Sequence, residues 1–163
     1  MGQVVSQGGL ILRRSEWKRN GGTVVCAAGA FDLLHPGHIR LLEQARELGD
    51  VLAVVVQDDA GIRERFGDSP KAARPVTPAS ERMEILAGLA AVDFVATFEG
   101  PSPRAFLLEF APDVFVEGNS PAGRESGSHA GDLEERGCRV VRFPMEPGYS
   151  TDQLIERIIQ SRT

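Results

Sequence analysis

Short apolar runs alternate with amphipathic stretches along most of the chain, and this alternation restricts the fold more than any other feature of the sequence. Several of the runs are rich in valine, and polar residues, glycine or proline bound them, which is typical of buried parallel strands. The predicted strands are Thr23–Ala28, Val51–Gln57, Phe94–Thr97, Val114–Glu117 and Cys138–Phe143. Because strands and helices alternate, the sequence predicts a doubly wound, Rossmann-like α/β fold, with a five-stranded parallel sheet and helices on both faces.

Three predicted helices begin with capping signals. Thr77-Pro78 and Ser102-Pro103 each place a hydroxyl before a proline that suits the first helical position. Ser150-Thr151-Asp152-Gln153 matches a capping box ahead of an amphipathic stretch. In doubly wound sheets, ligands bind beyond the carboxyl ends of the strands, where the strand order reverses. We therefore expect a functional site among the loops that follow the strands.

Other parts of the chain have no clear periodic pattern. Residues 1–20 form a mixed leader, in which Leu10–Leu12 predict a short element, ahead of a single domain over residues 21–163. Asp58–Arg74 and Gly118–Gly131 are polar stretches that contain glycine and proline. Because both follow predicted strands, we expect them to be mobile loops above the site.

The composition limits the classes of function. A chain of 163 residues, 42% hydrophobic and 25% charged, is typical of one soluble globular domain. Its net charge of −5 argues against nucleic acid as the main partner, and its apolar runs are too short to span a membrane. The N-terminus has no signal-peptide pattern, and Cys26 and Cys138 each lie inside an apolar run. The sequence thus predicts a cytoplasmic protein with two reduced, buried thiols.

The junction between the first predicted strand and the next helix predicts a site for an anion. Gly29 begins a turn, and His35 and His38 stand where the helix starts. Free backbone N–H groups and the positive end of the helix dipole converge at such a junction. Gly29 and Gly37 allow a ligand to approach closely, and the imidazoles add donors that can become cationic. We interpret this junction as a nucleotide site.

Several side chains near the junction have more than one possible role. The two histidines could be structural, and a zinc site would need a third ligand, for which His129 and Asp32 are candidates. Asp32 could orient a histidine, hold the loop backbone or serve the metal that accompanies a nucleotide. An aspartate in a turn also commonly accepts a hydrogen bond from its own backbone.

Positive charge is needed wherever a phosphoryl group is transferred. The basic candidates are Lys71 and Arg74 in the first polar stretch, and Arg82 in the first turns of the helix that follows Thr77-Pro78. Tyr149-Ser150-Thr151, at the start of the last helix, offers hydroxyls and free N–H groups. These groups could bind a phosphate, cap the helix, or do both.

One segment carries a family resemblance. Gly29-Ala30-Phe31-Asp32, followed by His35-Pro36-Gly37-His38, resembles the HxGH signature of the cytidylyltransferase-like nucleotidyltransferases. In that superfamily both histidines contact the nucleoside triphosphate and stabilise the reacting phosphate. Over about residues 21–160 the chain is most similar to the heptose 1-phosphate adenylyltransferase domain of ADP-heptose synthesis. Further shared segments are Ala45–Asp50, Arg74–Val76, Glu81–Met83, Ala91–Asp93, Pro112–Val114 and Tyr149–Thr151.

The resemblance implies a transferase that moves a nucleoside monophosphate from a triphosphate, ATP rather than CTP, to a phosphorylated sugar such as heptose 1-phosphate. Pyrophosphate would leave by direct in-line attack, with Mg²⁺ carried by the nucleotide and Asp32 as a possible ligand. It also implies a homodimer. The catalytic residues it implies are His35, His38, Lys71 and Arg82. The nucleotide-binding residues it implies are Gly29, Ala30, Phe31, Asp32, Gly37, His38, Arg82, Glu117, Gly118, Tyr149, Ser150 and Thr151.

Three loops depart from the family pattern. The family usually has Thr-Asn-Gly-Cys-Phe-Asp where this chain has Ala27–Asp32, and Asn-Ser-Asp where it has Gln57–Asp59. It usually has Lys-Gly-Gly-Asp-Tyr where this chain has Glu117–Pro121, so a cation that could hold a phosphate is lost. The base and the acceptor therefore stay open. Alternatives are a glycerol-3-phosphate-type cytidylyltransferase, an FMN adenylyltransferase and a nucleotide-binding protein without catalysis.

Overall fold

Strands and helices alternate in the computed structural model, which describes residues 1–67, 74–118, 129–144 and 146–161. The strands are β1 (Gln3–Val4), β2 (Val24–Gly29), β3 (Val51–Gln57), β4 (Phe94–Phe98), β5 (Val114–Gly118) and β6 (Arg139–Phe143). The helices are α1 (Gln7–Arg19), α2 (Pro36–Arg46), α3 (Asp59–Phe66), α4 (Ala79–Ala87), α5 (Arg104–Phe110), α6 (His129–Glu135) and α7 (Thr151–Gln160). None of these helices is long and apolar enough to cross a membrane.

The strands form one parallel sheet in the order β1-β4-β3-β2-β5-β6. From β2 the chain builds outward through β3 and β4, and then returns to add β5 and β6 on the other side of β2. The strand order therefore reverses between β2 and β5, and a crevice forms beyond their carboxyl ends. The predicted nucleotide junction begins at the end of β2.

Alternation along the central strands divides the core into two layers. Val25 and Ala27 of β2 pack with Leu42 of α2 and Leu86 of α4 on one face of the sheet. Residues of β2 with the opposite orientation, Val24 and Cys26, pack on the other face with apolar side chains of α1, α5 and α6. Helices thus cover both faces, and the predicted doubly wound α/β fold is confirmed.

The predicted strand number was wrong, because the sheet has six strands. The five predicted strands all form, with bounds within one residue of those expected. The additional strand, β1, comes from the stretch interpreted as a leader, and Val5 N donates to Val95 O at 2.9 Å to extend its pairing with β4. A strand of two exposed residues at the sheet edge is too short to show a period in the sequence.

Helix α1 is longer than the short element expected near Leu10–Leu12. It spans 13 residues, and the Ser6 hydroxyl accepts from Gly9 N at 3.0 Å to cap it. Leu10 is fully buried, and the guanidinium of Arg14 donates to Asp113 Oδ1 at 2.8 Å. These contacts join α1 to the sheet and to the loop before β5.

Helix α3 forms where the sequence predicted a mobile loop. The Asp58 carboxylate caps it by accepting from Gly61 N at 2.9 Å and from Gly100 N at 3.1 Å. A Cβ on Gly61 would overlap the Gly100 carbonyl and would lie 2.6 Å from Asp58 Oδ1, so only glycine fits. The rest of this polar stretch up to residue 73, and residues 119–128 of the other, lie outside the described residues.

The capping predictions were right for α7 and wrong for α4. The Ser150 hydroxyl accepts from Gln153 N at 3.1 Å, as the capping box predicts. Helix α4 begins after Pro78, and that residue supplies no side-chain cap. The cap is the carboxylate of Asp59, whose Oδ1 accepts from Ala79 N at 2.9 Å, and not the hydroxyl of Thr77. A carboxylate from a neighbouring helix therefore replaces the local hydroxyl, which the local sequence does not reveal.

Both cysteines are buried free thiols, in agreement with their apolar surroundings. Burial raises the pKa of the Cys26 thiol, and burial raises that of Cys138 to about 11. Neither is a reactive thiolate near neutral pH.

Candidate functional site

A cleft of about 500 Å³ opens beyond the carboxyl end of β2. The loop after β2, the first turn of α2, the end of α3 and the start of α7 form its walls. Its lining residues are Ala28, Gly29, Ala30, Phe31, Asp32, His35, Gly37, His38, Leu41, Arg65, Phe66, Arg74, Phe143, Pro144, Glu146, Tyr149, Ser150, Thr151 and Asp152. Most of the residues predicted to bind a nucleotide therefore share one cavity, although they come from distant parts of the chain.

His35 and His38 lie face to face in this cleft. Their ring centroids are 3.8 Å apart and the planes differ by 19°. Burial lowers the pKa of both imidazoles, and burial followed by repulsion from His35 lowers that of His38 to about 3. Both rings are therefore neutral near pH 7. A bound anion would favour the charged form and raise these pKa values again.

The two imidazoles are oriented by burial of the same nitrogen. Nδ1 of each ring is buried and has no hydrogen-bond partner among the described residues. A neutral imidazole carries one proton, and burying an unpaired N–H is costly. The surroundings therefore favour the tautomer with the proton on Nε2, which leaves one donor per ring for a ligand.

Gly37 is required by the packing of the His35 ring. His35 precedes α2 as its N-cap, Pro36 occupies the first turn, and no side chain caps this helix end. A Cβ on Gly37 would lie 3.0 Å from His35 Nδ1 and 3.4 Å from the Cβ of Tyr149. Glycine thus lets the ring and the start of α7 pack against the helix, whose N-terminal end faces the cleft with its positive dipole.

Phe31 turns the chain sharply after β2. Its φ of +48° lies in the left-handed region, which non-glycine residues rarely adopt. The ring packs 3.1 Å from the position a Cβ would take on Gly29, and its centroid is 5.3 Å from that of His38. The strained turn therefore places the Phe31 ring against the ring of His38. Strained backbone of this kind is common at functional sites.

Asp32 holds the backbone of a neighbouring loop. Its carboxylate accepts from Val76 N at 2.8 Å, Thr77 N at 2.9 Å and Arg74 Nη1 at 3.2 Å. Of the roles left open by the sequence, the structure favours loop holding, since both oxygens are engaged. The described residues contain no group of three side chains that could hold a metal ion.

Arg82 lies beneath the cleft and does not line it. Its side chain is fully buried, and it donates to Thr77 O, Ala30 O, Gln57 O and Asp59 Oδ1 at 2.5–2.9 Å. These acceptors lie just after β2, at the end of β3, at the start of α3 and just before α4. In this structure Arg82 links the segments around the site by hydrogen bonds. Its side chain does not reach the cleft, where a contact with a nucleotide was predicted.

Among the described residues, the cations that line the cleft are Arg65 and Arg74. The sequence offered Arg74 as a basic candidate but not as one of the implied catalytic residues, and Arg65 was not singled out. The Arg65 and Arg74 guanidinium carbons lie 4.8 Å and 5.3 Å from the Phe66 ring centroid. Burial lowers the pKa of Arg65. Lys71, the other predicted cation, lies outside the described residues.

Glu117 also does not line the cleft. At the carboxyl end of β5 one of its carboxylate oxygens lies 2.9 Å from His129 Nε2, and the other accepts from Arg142 Nε at 3.1 Å. Only 10% of this side chain is exposed, so its charge is already compensated within the protein. Gly118, its predicted companion, ends β5 in register with Phe143 of β6.

The start of α7 closes the cleft opposite α3. The Tyr149 ring lies parallel to His35 with centroids 6.3 Å apart. Arg40 of α2 lies over that ring at 5.6 Å and pairs with Glu146 at 2.6 Å. Ser150 caps α7, as one of its two predicted roles requires, and it also lines the cleft, where the other predicted role would place a phosphate.

Several lining residues were missed by the sequence interpretation. Phe143 ends β6 and Pro144 follows it, and the rule that ligands bind beyond strand ends could have found them. Phe66 and Arg65 lie in the polar stretch Asp58–Arg74 that was expected above the site, but neither was singled out, because α3 itself was not predicted.

Taken together, the cleft suits a phosphorylated ligand. Two helix N-termini, of α2 and α7, open into it with positive dipole ends. Imidazole and guanidinium donors surround the same space. Such an arrangement can hold a polyphosphate and stabilise charge that develops on it.

This chain is similar to one part of longer known proteins. It is 45% identical over 136 residues to the bifunctional protein HldE of Streptomyces coelicolor, covering 83% of this chain and 28% of that protein. It is 40% identical over 156 residues to the bifunctional protein HldE of Koribacter versatilis, covering 95% of this chain and 31% of that protein. The chain thus spans less than a third of the length of these relatives.

Solved structures share the fold. The lipopolysaccharide core biosynthesis protein from Thermoplasma volcanium has a TM-score of 0.60 and 26% identity, covering 77% of this chain and 98% of that one. A pantoate-beta-alanine ligase from Francisella tularensis has a TM-score of 0.62, covering 90% of this chain and 69% of that one; its 14% identity shows the fold alone. The sequence model of the cytidylyltransferase-like family matches residues 26–147, which contain the histidine pair. With that match and these relatives, the resemblance predicted from the sequence is confirmed, and the chain belongs to the cytidylyltransferase-like family.

Proposed function

We propose that this protein is a nucleotidyltransferase that moves a nucleoside monophosphate from ATP, in preference to CTP, to a phosphorylated sugar such as heptose 1-phosphate. The stacked pair His35 and His38, set between the N-termini of α2 and α7, carries this proposal. Membership in the cytidylyltransferase-like family supports the reaction class. The HldE relatives and the heptose-type sequence segments support the choice of nucleotide and acceptor.

The proposed reaction is a direct in-line transfer. A phosphate oxygen of the acceptor forms a bond to the α-phosphorus of the triphosphate as the bond from that phosphorus to pyrophosphate breaks. No general base is needed, because a phosphate monoester is already an anion near pH 7. His35, His38 and the two helix N-termini would stabilise the charge that moves onto the leaving pyrophosphate.

Magnesium is assigned to the substrate in this proposal. Both oxygens of Asp32 are engaged with backbone N–H groups and Arg74, and the described residues contain no metal-binding cluster. We therefore propose that Mg²⁺ arrives on the phosphates of the nucleotide. From the family resemblance we also expect a homodimer, which sedimentation analysis would check. From the N-terminal sequence and the two cysteines we expect a cytoplasmic location, which cell fractionation would check.

Pyrophosphate release tests the proposed function directly. ATP and CTP would each be offered with Mg²⁺ and one acceptor: heptose 1-phosphate, another sugar 1-phosphate, glycerol 3-phosphate or FMN. We expect release from ATP with heptose 1-phosphate. Release only from CTP with glycerol 3-phosphate, or only with FMN, would replace the proposed substrates. Tight ATP binding without release from any pair would indicate a binding protein.

His38→Ala should lose turnover while the fold persists. Removing one donor to a developing oxyanion typically costs about 10²–10³ in rate. Steady-state kinetics would measure kcat, and circular dichroism would confirm folding. His129→Ala is the matched control, because His129 lies away from the cleft lining. Near-normal turnover by His38→Ala would contradict the proposed role of the histidine pair.

A further inference from the structure

Arg74 bridges two carboxylates across the cleft. One terminal nitrogen donates to Asp32 Oδ2 at 3.2 Å, and the other donates to the carboxylate of Asp152 in the first turn of α7. The guanidinium also lies over the Phe66 ring. Its side chain is only 9% exposed, and it lines the cavity. The cation is therefore held firmly on one side and faces the ligand space on the other.

The two carboxylates differ sharply in how they are held. The Asp32 side chain is 2% exposed, and backbone N–H groups of Val76 and Thr77 also donate to it. The Asp152 side chain is 81% exposed. An ion pair with a well-exposed partner contributes little, because water solvates the separated charge almost as well. The contact of Arg74 with Asp152 is the one that a ligand can break.

Asp152 occupies a position that suits a phosphate. It follows Ser150 and Thr151, at the helix end whose dipole favours negative charge. Its partner is a guanidinium, whose planar fork matches carboxylate and phosphate oxygens equally well. A phosphoryl group in the cleft would meet the same donors that Asp152 now meets.

We propose that Arg74 is a phosphate-binding residue of this site and that Asp152 is a placeholder, displaced from the guanidinium when a phosphoryl group of a substrate enters. This inference rests on the proposed function, since it needs a phosphorylated ligand in the cleft. The phosphoryl group belongs either to the nucleoside triphosphate or to the sugar 1-phosphate. The chemistry of recognition is the same in both cases.

Asp152→Asn tests the proposal, with Glu156→Gln as the matched control. Both substitutions remove one negative charge from an exposed side chain of α7, one turn apart. Only the first frees Arg74. Isothermal titration would measure Kd for ATP with Mg²⁺ and, separately, for heptose 1-phosphate. We expect Asp152→Asn to lower one of these Kd values by about three- to fivefold relative to Glu156→Gln.

The ligand that gains affinity identifies the source of the phosphoryl group: ATP for the nucleotide, heptose 1-phosphate for the acceptor. The stability of Asp152→Asn should be lower, because the negative charge of Asp152 stabilises the N-terminal end of α7. A slightly lower melting temperature together with tighter binding is a combination that a merely structural aspartate would not give. Equal affinities for the two variants, or weaker binding by Asp152→Asn, would overturn the proposal.

A second background removes the remaining ambiguity. In an Arg74→Gln protein, Asp152→Asn should give no gain, because the cation that the placeholder covers is absent. A persistent gain there would show that Asp152 acts through the general field of the site and would overturn the assignment to Arg74. If the unmodified protein binds neither ATP nor heptose 1-phosphate, the proposed function itself fails and this inference fails with it.

Discussion

The imidazole rings of His35 and His38 lie 3.8 Å apart in a cavity that shields them from water. Two histidines exposed on a helix surface would titrate near pH 6.5. Here burial lowers the pKa of both rings, and repulsion from His35 lowers that of His38 further, so both rings are neutral near pH 7. The sequence located this pair, but the protonation state of the two rings depends on how the rest of the fold buries them.

The lowered pKa of His38 predicts a dependence of stability on pH. Its pKa is about 3 in the folded protein, below the value of about 6.5 expected in the unfolded chain. The contribution of neutral His38 to the free energy of unfolding is therefore fully present above pH 6.5. It is lost as the pH falls toward the pKa that His38 has in the folded protein. Between pH 6.5 and pH 5 the free energy of unfolding should fall by up to about 2 kcal/mol through this residue.

Urea unfolding at several pH values would measure this effect, with His38→Gln as the comparison. The variant cannot bind the proton, so its stability should decline less over the same range. Parallel pH profiles for the two proteins would contradict the prediction.

Among the elements, α3 shows how a few contacts create a helix that periodicity does not predict. Its polar sequence has little apolar face, yet Asp58 caps it and Gly61 lies against Gly100. This helix brings Arg65 and Phe66 to the cleft. By contrast, the Ser150 cap of α7 is local in sequence, and it was predicted correctly.

Gly61→Ala should destabilise the protein and lower its activity. The added methyl group would overlap the Gly100 carbonyl, and overpacking of this kind typically costs about 1–3 kcal/mol. The displaced helix would carry Arg65 and Phe66 away from the cleft. Thermal unfolding and pyrophosphate release would measure the two effects.

Gly131→Ala is the matched control, because Gly131 is also the third residue of its helix and a Cβ there would meet nothing within 4 Å. It should be neutral or slightly stabilising, since alanine favours helix more than glycine does by about 1 kcal/mol. Equal effects of the two substitutions would show that the close contact at Gly61 is unimportant.

Across the whole molecule, Arg82 connects the segments that surround the site. It donates to one backbone carbonyl after β2, to one at the end of β3, to one before α4, and to Asp59 of α3. These segments are separated in sequence, and only the parallel sheet brings their ends together. The family resemblance drew attention to this arginine, while its placement under the cleft came from the tertiary structure.

Arg82→Lys should destabilise the protein by about 2–4 kcal/mol, because several buried carbonyls lose a donor and a buried charge loses its partners. Denaturant unfolding would measure the loss, with the exposed Arg63→Lys as control. If Arg82 instead acts on the nucleotide, kcat should fall while the free energy of unfolding stays close to that of the unmodified protein.

Predictions from the sequence succeeded where the signal is local. The central strands show as apolar runs because both of their faces are buried. The junction at His35 and His38 shows because a strand end, glycine and a helix start are consecutive in the chain. Edge strand β1, with two exposed residues, has no such signal.

The sequence by itself determined the parallel α/β fold, the end of the sheet that carries the site, and the histidine pair within it. The tertiary structure decided which charged side chains face the ligand. Arg82 and Glu117 are paired with other residues inside the protein, whereas Arg74 lines the cleft. The physical reason is that each charge must be paired when it is buried, and its partners come from segments that meet only when the sheet has formed.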